Sequence, residues 1–407
     1  MTFPSGLRAL HHADFRVFWA GQLVSLVGTW MQSVAQAWLV LQLTDSPFKL
    51  GLIGTLQFAP MLLFSVVAGV LADRLPKRRL ILATQVMLAC QSLALAALAG
   101  SGRVQYWHVG VLALVYGLAH TLDTPARQAF MVDLVGKDDV ASAVALNSAG
   151  FNAARIVGPA VAGVLIARFG VAPAFLLNGL SFVVVIAALL TVNARGLPHP
   201  RPGATLLGEI GEGIGYAVRT PRVALILGVL LVVSLCVFNF SVFVPLVARD
   251  MGAGAEGFGF LMAALGAGAV SGALTVAAGR RQPALRTIFV AGAVACLGTL
   301  GLAGVRHFWV AVPVLCVVGF SSIVFMASCN TTLQLEAPDE LRGRVMSLHA
   351  LVFAGVFPIG SFLVGVIAEA LGVAAALLAA GGTGLATLVG IMIWWRHAQR
   401  EGAHGGA

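Results

Sequence analysis

Gly69-Val70-Leu71-Ala72-Asp73-Arg74-Leu75-Pro76-Lys77-Arg78-Arg79 lies between two long apolar runs and carries five charges, four of them basic. A tight, cation-rich turn between hydrophobic segments is expected on the cytoplasmic face of a membrane, because short cytoplasmic loops collect Lys and Arg. The stretch therefore predicts a hairpin of two membrane-crossing helices, and the rest of the chain must be apolar enough to extend it.

Of 407 residues, 59% are hydrophobic and only 10% charged, and the mean hydropathy is +0.94. A soluble domain is typically about a quarter charged, so the chain reads as an integral membrane protein. Apolar stretches of about 20 residues can cross a bilayer as helices. Twelve are found, at 17–42, 50–72, 80–100, 106–124, 142–168, 172–193, 223–248, 257–279, 284–305, 308–333, 344–371 and 373–395. Lipid offers no partners to exposed backbone groups, which excludes open sheet.

The basic residues give an orientation. With the N-terminus inside, 19 Lys and Arg fall in cytoplasmic segments and five (Lys49, Arg103, Arg168, Arg249, Arg306) in outer loops, with Arg155 inside a span. That bias predicts both termini on the cytoplasmic side. The net charge of +9 then reflects topology, and no nucleic-acid partner is expected. Met1–Arg16 does not read as a cleavable signal, since Pro4, His11, His12 and Asp14 interrupt any apolar core.

The chain repeats itself at half its length. Gly158, Gly163 and Gly170 fall on Gly360, Gly365 and Gly372, each 202 residues later. A worn copy of the charged loop lies 203 residues on, with Gly69 matching Gly272 and the basic cluster matching Arg280-Arg281, while Asp73 falls on Val276. The expected organisation is a six-helix bundle over 1–193, a cytoplasmic linker over 194–222 and a second bundle over 223–407. In that linker, 209–219 is either a short amphipathic helix at the membrane surface or part of a flexible tether.

No lysine sits in a Gly-Lys-Ser/Thr sequence, there is no His-Glu-x-x-His or Cys-x-x-Cys, and the five cysteines are scattered singly. No cofactor, metal or catalytic machinery is expected, so energy for transport would come from a gradient or the membrane potential.

The loop at 69–79 closely resembles the signature loop of the major facilitator superfamily, in which a glycine is followed four residues on by Asp-Arg and then by a basic cluster. Pro76 and Lys77 stand where the family has glycine and arginine. Arg155-Ile-Val-Gly158-Pro159-Ala-Val-Ala-Gly163 is similar to the fifth-helix motif of the superfamily's exporters. Asp123-Thr124-Pro125-Ala126-Arg127-Gln128-Ala129-Phe130, residues 147–163 and 342–347 look like the enterobactin-exporter branch. The resemblance implies an all-α fold of twelve transmembrane helices in two pseudo-symmetric bundles, with substrate between the halves. It also implies gating by Gly69, Asp73, Arg74, Arg78, Arg79, Gly158 and Pro159. Asp73 would meet the N-terminus of the eleventh span, where the helix dipole attracts a carboxylate, while the arginines tie neighbouring helix ends.

Six residues are candidates for substrate contact. Gln22, Ser25, Thr29, Gln32 and Gln36 step by three or four along one face of the first span. Gln32 and Gln36 would either line a cavity or bond between helices. Arg155, expensive inside a membrane, suits an anionic or catecholate-like group or pairs structurally, and Asn152 lies one turn before it. Asn239 and His349 would bind substrate or pack between helices. Asp123 and Glu369 are the acids available for proton coupling, though Asp123 could instead pair with Arg78 or Arg79.

These readings converge on a secondary active exporter of a siderophore or amphiphilic drug, driven by proton antiport, working as a monomer in the bacterial cytoplasmic membrane. An importer of a polar nutrient is the alternative within transport. The fifth-helix motif and the aromatic residues Trp30, Trp38, Phe238, Phe240 and Phe243 argue against it. A non-transporting membrane sensor or assembly partner is the alternative outside transport.

Overall fold

The structure is a computed structural model that describes residues 5–194, 196, 206–279 and 284–404. A 3-10 turn, Ser5–His11, precedes α1 (Ala13–Thr44), α2 (Pro47–Arg74), α3 (Lys77–Gly100), α4 (Tyr106–Phe169) and α5 (Ala172–Thr191). After α6 (Leu206–Arg219) come α7 (Pro221–Cys236), α8 (Phe240–Asp250), α9 (Gly254–Ala278), α10 (Leu285–Leu302) and α11 (Phe308–Glu336). The last elements are α12 (Asp339–Gly355), α13 (Phe357–Leu371) and α14 (Val373–His404), and there is no strand among the described residues. The worn loop copy at Arg280-Arg281 lies outside the described residues.

Eleven helices, with α7–α8 and α12–α13 each counted as one, are long and apolar enough to cross a membrane. One of these is α4, whose 64 residues would reach about 96 Å at 1.5 Å per residue, three times a hydrocarbon core of about 30 Å. Gly136 divides it, with φ 73° and ψ 175°, a conformation that glycine adopts without a Cβ clash. The two arms supply the fourth and fifth spans and restore the expected twelve.

Residues 125–141, read from the sequence as a loop, instead continue as helix on either side of Gly136. Pro125 sits inside the helix, a position that normally breaks the ladder. Burial outweighs that preference: Ala126, Phe130, Met131, Leu134 and Val135 join Phe15, Phe18, Ile81, Val185 and Leu189 in one apolar cluster. The Phe18 and Phe130 rings meet edge-on at 5.7 Å. Two further spans are interrupted. The seventh breaks at 237–239, between α7 and α8, and the eleventh at Val356, between α12 and α13.

The chain divides into two compact units, Met1–Gly203 with Gly252–Ala263, and Ala204–Met251 with Ala264–Ala407. In the first, polar contacts tie the end that holds the charged loop. Lys77, only 4% exposed, places Nζ 2.8 Å from Asp133 Oδ2. Arg78 donates to the carbonyls of Leu189 (2.8 Å) and Leu190 (3.0 Å) at the end of α5. Asp14 accepts from the backbone N–H groups of Asn193 and Ala194.

In the second unit, α6 packs on α12. Tyr216 donates its hydroxyl to the Glu336 carbonyl at 3.1 Å, and Arg222 reaches the Glu336 carboxylate at 2.9 Å. The internal repeat is visible in the backbone: Gly170 closes α4 with φ 77° and Gly372 closes α13 with φ 89°. Both have a positive φ with an extended ψ, a conformation open to glycine because it lacks a Cβ, and the helix ends there.

Candidate functional site

The polar stripe of α1 is buried at Gln22, Ser25, Gln32 and Gln36. Two of its amides, Gln32 and Gln36, are engaged between helices. Gln32 Oε1 lies 2.6 Å from the Ser92 hydroxyl of α3 and 2.7 Å from Asn178 Nδ2 of α5, so one oxygen joins three helices. Gln36 Nε2 donates to Gln57 Oε1 of α2 at 2.8 Å. Gln22 Oε1 is buried without a hydrogen bond among the described residues.

Arg155 lies fourteen residues before the end of α4 at Phe169, about 21 Å at 1.5 Å per residue, and so near the middle of its span. Its guanidinium carbon stands 5.9 Å from the centroid of the Trp30 ring, within reach of a cation–π attraction. Trp30 in turn packs edge-on against Phe151 at 5.7 Å. Gly158, one turn beyond Arg155, makes this possible: a Cβ there would stand 2.5 Å from Trp30 Cβ and 2.9 Å from the Val27 carbonyl. The α4 backbone thus touches α1 and sets the indole beside the guanidinium. Among the described residues no carboxylate pairs with Arg155. Asn152 donates to the Ser148 carbonyl of its own helix at 2.8 Å.

The glycines of the fifth-helix motif pack against two different helices. Gly158 meets α1, and Gly163 lies against Ala255, Glu256 and Gly259 at the start of α9.

In the second unit Asn239 is fully buried at the break between α7 and α8. It donates to the Leu235 carbonyl at 2.7 Å and accepts from the Ser361 hydroxyl at 3.3 Å. His349 on α12 is 7% exposed, and its Nε2 has no partner among the described residues. Its ring stacks on Phe353 at 6.4 Å, which packs edge-on against Phe238 and Phe357. The two helix breaks are thus joined through aromatic rings.

Asp123 is 1% exposed. Its Oδ1 accepts from Thr84 Oγ1 at 2.8 Å and Gln85 Nε2 at 3.0 Å, while Oδ2 pairs with Arg127. The partner is one helical turn away on α4, not Arg78 or Arg79 as weighed from the sequence. The reason is the unbroken helix through Pro125, which puts positions 123 and 127 side by side. Asp73, Arg74 and Arg79 are exposed, as is Glu369 at the far end of α13.

Sequence reasoning missed Ser92, Asn178, Thr84 and Gln85 as partners, Lys77–Asp133 as an ion pair, and Trp30 as the neighbour of Arg155. The spacing of Thr84, Gln85, Gln91 and Ser92 on α3 carries the same helical-face signal as α1 and could have revealed the first network.

A family model for transmembrane secretion effectors matches residues 4–404, nearly the whole chain. The chain belongs to the major facilitator superfamily. The multidrug efflux pump Tap of Mycolicibacterium fortuitum is 28% identical over 375 residues, covering 88% of this chain and 90% of Tap. The staphyloferrin A transporter of Staphylococcus aureus is 23% identical over the same length and coverage. The enterobactin exporter EntS of Shigella boydii is 28% identical over 360 residues, 87% of this chain and 85% of EntS. Among solved structures, the nucleoside transporter NupG superposes with a TM-score of 0.77 at 12% identity, over 94% of this chain and 99% of NupG. A bacterial homologue of the lysosomal transporter Spinster gives 0.69 at 12%, over 93% and 94%. At such identities these two speak for the fold. The protein is a multi-pass membrane transporter with efflux-type relatives, and the relatives and neighbours are transporters, not enzymes.

Proposed function

We propose that this transporter exports a small organic molecule carrying an anionic or catecholate-like group, a siderophore or an acidic amphiphilic drug, by alternating access in the bacterial cytoplasmic membrane. The observation that carries this reading is Arg155: a guanidinium near the middle of a span, set beside an aromatic face, with no carboxylate partner among the described residues. A cation in lipid is expensive unless something neutralises it, and an oxyanion on a ring-bearing substrate would meet both the fork of donors and the indole. Among the relatives, the names of EntS and the staphyloferrin A transporter each specify a siderophore.

Asn152, one turn away on the same helix, is the second contact on α4. Gln36 supplies an amide from α1, and Gln32 orients that helix through Ser92 and Asn178. Asn239 and His349 are the contacts offered by the second unit. Proton antiport supplies the energy. Asp123 is the weaker carrier, since three donors already hold its carboxylate, and Glu369 is the acid to test first. Gating falls to the 69–79 loop with Gly158 and Pro159, Asp73 and Arg74 being the exposed charges free to engage a partner as the conformation changes. Both termini are placed in the cytoplasm, on the bias of Lys and Arg alone.

Thermal-shift screening of purified protein against catecholate and carboxylate siderophores, cationic dyes and neutral drugs tests the substrate class, since a ligand of the native state raises the melting temperature. Acidic compounds should stabilise it. A response confined to cationic compounds would overturn the reading.

A further inference from the structure

We propose that the groove between α10 and α11 in the second unit binds one anionic phospholipid. The groove has a volume of about 350 Å³, and its walls include Arg286, Thr287, Val290 and Val294 of α10 and Phe320 and Val324 of α11. Positions 286, 290 and 294 are spaced by four, so they form one stripe on α10. The stripe runs about 12 Å from the first turn of the helix toward its middle.

Chemistry changes along that stripe. At the helix end stands an exposed arginine with no ion pair among the described residues, next to a threonine hydroxyl. Beyond it the wall is valine, alanine and phenylalanine with one serine, Ser321, whose hydroxyl is turned back onto its own helix, and Val290 is 53% exposed. A cation at the end of a membrane helix, followed by an outward-facing apolar channel, matches a phosphate head and an acyl chain in that order. Arginine holds phosphate through paired donors, and basic pockets between transmembrane helices attract anionic head groups. Lipid tails are as apolar as the groove, so burial gives little selectivity here. The preference must come from charge at Arg286, and this makes the idea testable by a single side chain. The groove belongs to the second unit and does not depend on the export reading.

The test is native mass spectrometry of the full-length protein in detergent with equal amounts of phosphatidylglycerol and phosphatidylcholine. Wild type should retain one phosphatidylglycerol in preference. Arg286→Ala should weaken that retention roughly fivefold and leave phosphatidylcholine unchanged, while Arg286→Lys keeps most of it. Val290→Trp, which fills the channel, should reduce the retention of both lipids. Equal retention of the two lipids by wild type, an unchanged ratio in Arg286→Ala, or full retention in Val290→Trp would each overturn the assignment.

Discussion

The two units place matching glycines in unlike surroundings. In the first, Gly158 lies under Trp30 of α1, and the residue one turn before it is Arg155. In the second, the matching Gly360 lies under Asn239, and the residue one turn before it is Phe357. At both positions a Cβ would stand about as close to its neighbour, 2.5 Å from Trp30 Cβ and 2.4 Å from Asn239 Nδ2. The close helix approach is thus common to both halves, and the charge belongs to one. Polar groups differ in the same way. The first unit bonds amides and ion pairs across α1, α2, α3, α4 and α5, whereas the second breaks two helices and fills the gaps with aromatic rings. The backbone approach is repeated while the chemistry beside it differs, and only the first unit carries an arginine at this position.

The largest effect should come from removing the shared feature. Gly158→Val and Gly360→Val each force a branched side chain against its neighbour, and the cost should exceed the 1–3 kcal/mol or so typical of overpacking. Gly158→Val meets the root of a tryptophan side chain and a backbone carbonyl, which cannot rotate away, so it should abolish folded protein. Gly360→Val should be the milder of the two, because part of what it meets is a side-chain amide. Detergent-solubilised yield by size-exclusion chromatography checks both, and equal damage would weaken the contrast.

Next in size is Asp123→Asn, which leaves Arg127 without its counter-charge. Breaking a buried pair costs about 3–5 kcal/mol, and because Arg127 is 17% exposed the loss should sit near 3 kcal/mol. It should appear as a lower melting temperature. Unchanged stability together with lost proton-driven efflux would make Asp123 the proton carrier.

A smaller difference separates the two amide networks. Asn178→Ala removes a 2.7 Å bond to Gln32 within a three-helix junction and should cost about 1 kcal/mol. Ser361→Ala removes a 3.3 Å contact to Asn239 and should cost a few tenths, in line with roughly 0.6 kcal/mol for an average interhelical hydrogen bond. Thermal melts of the pair resolve the order. Asp73→Asn, at an exposed position, should leave the melting temperature unchanged and depress transport in vesicles strongly.

The spans were legible because a run of apolar residues long enough to cross lipid has few other fates. That the chain must turn between the fourth and fifth spans was legible, but the sequence read all of 125–141 as loop, whereas the turn is confined to Gly136. The helix through Pro125 was hidden because proline argues for a stop, and the opposing burial of Phe130 and Leu134 depends on partners from α1, α3 and α5. Breaks at 237–239 and 356 were hidden because one to three non-helical residues leave an apolar run unchanged. The stripe on α1 marked a buried polar face, but whether Gln32 meets Ser92, Asn178 or a substrate depends on the depth and rotation of other helices, which its own spacing does not contain. Arg155 stood out from sequence by cost alone, whereas Trp30 beside it needed coordinates.

The central claim is that Arg155 recognises an anionic substrate, and ligand affinity measured on Arg155 variants tests it most directly. With an acidic ligand that stabilises wild type, Arg155→Ala should weaken binding ten- to a hundredfold, the equivalent of roughly 1.5–3 kcal/mol for a charge-assisted contact. Arg155→Lys should recover only part, lacking the planar fork, and the unliganded melting temperature should stay close to wild type. Unchanged affinity with a lower yield of folded protein would contradict the account and make Arg155 a structural partner of Trp30.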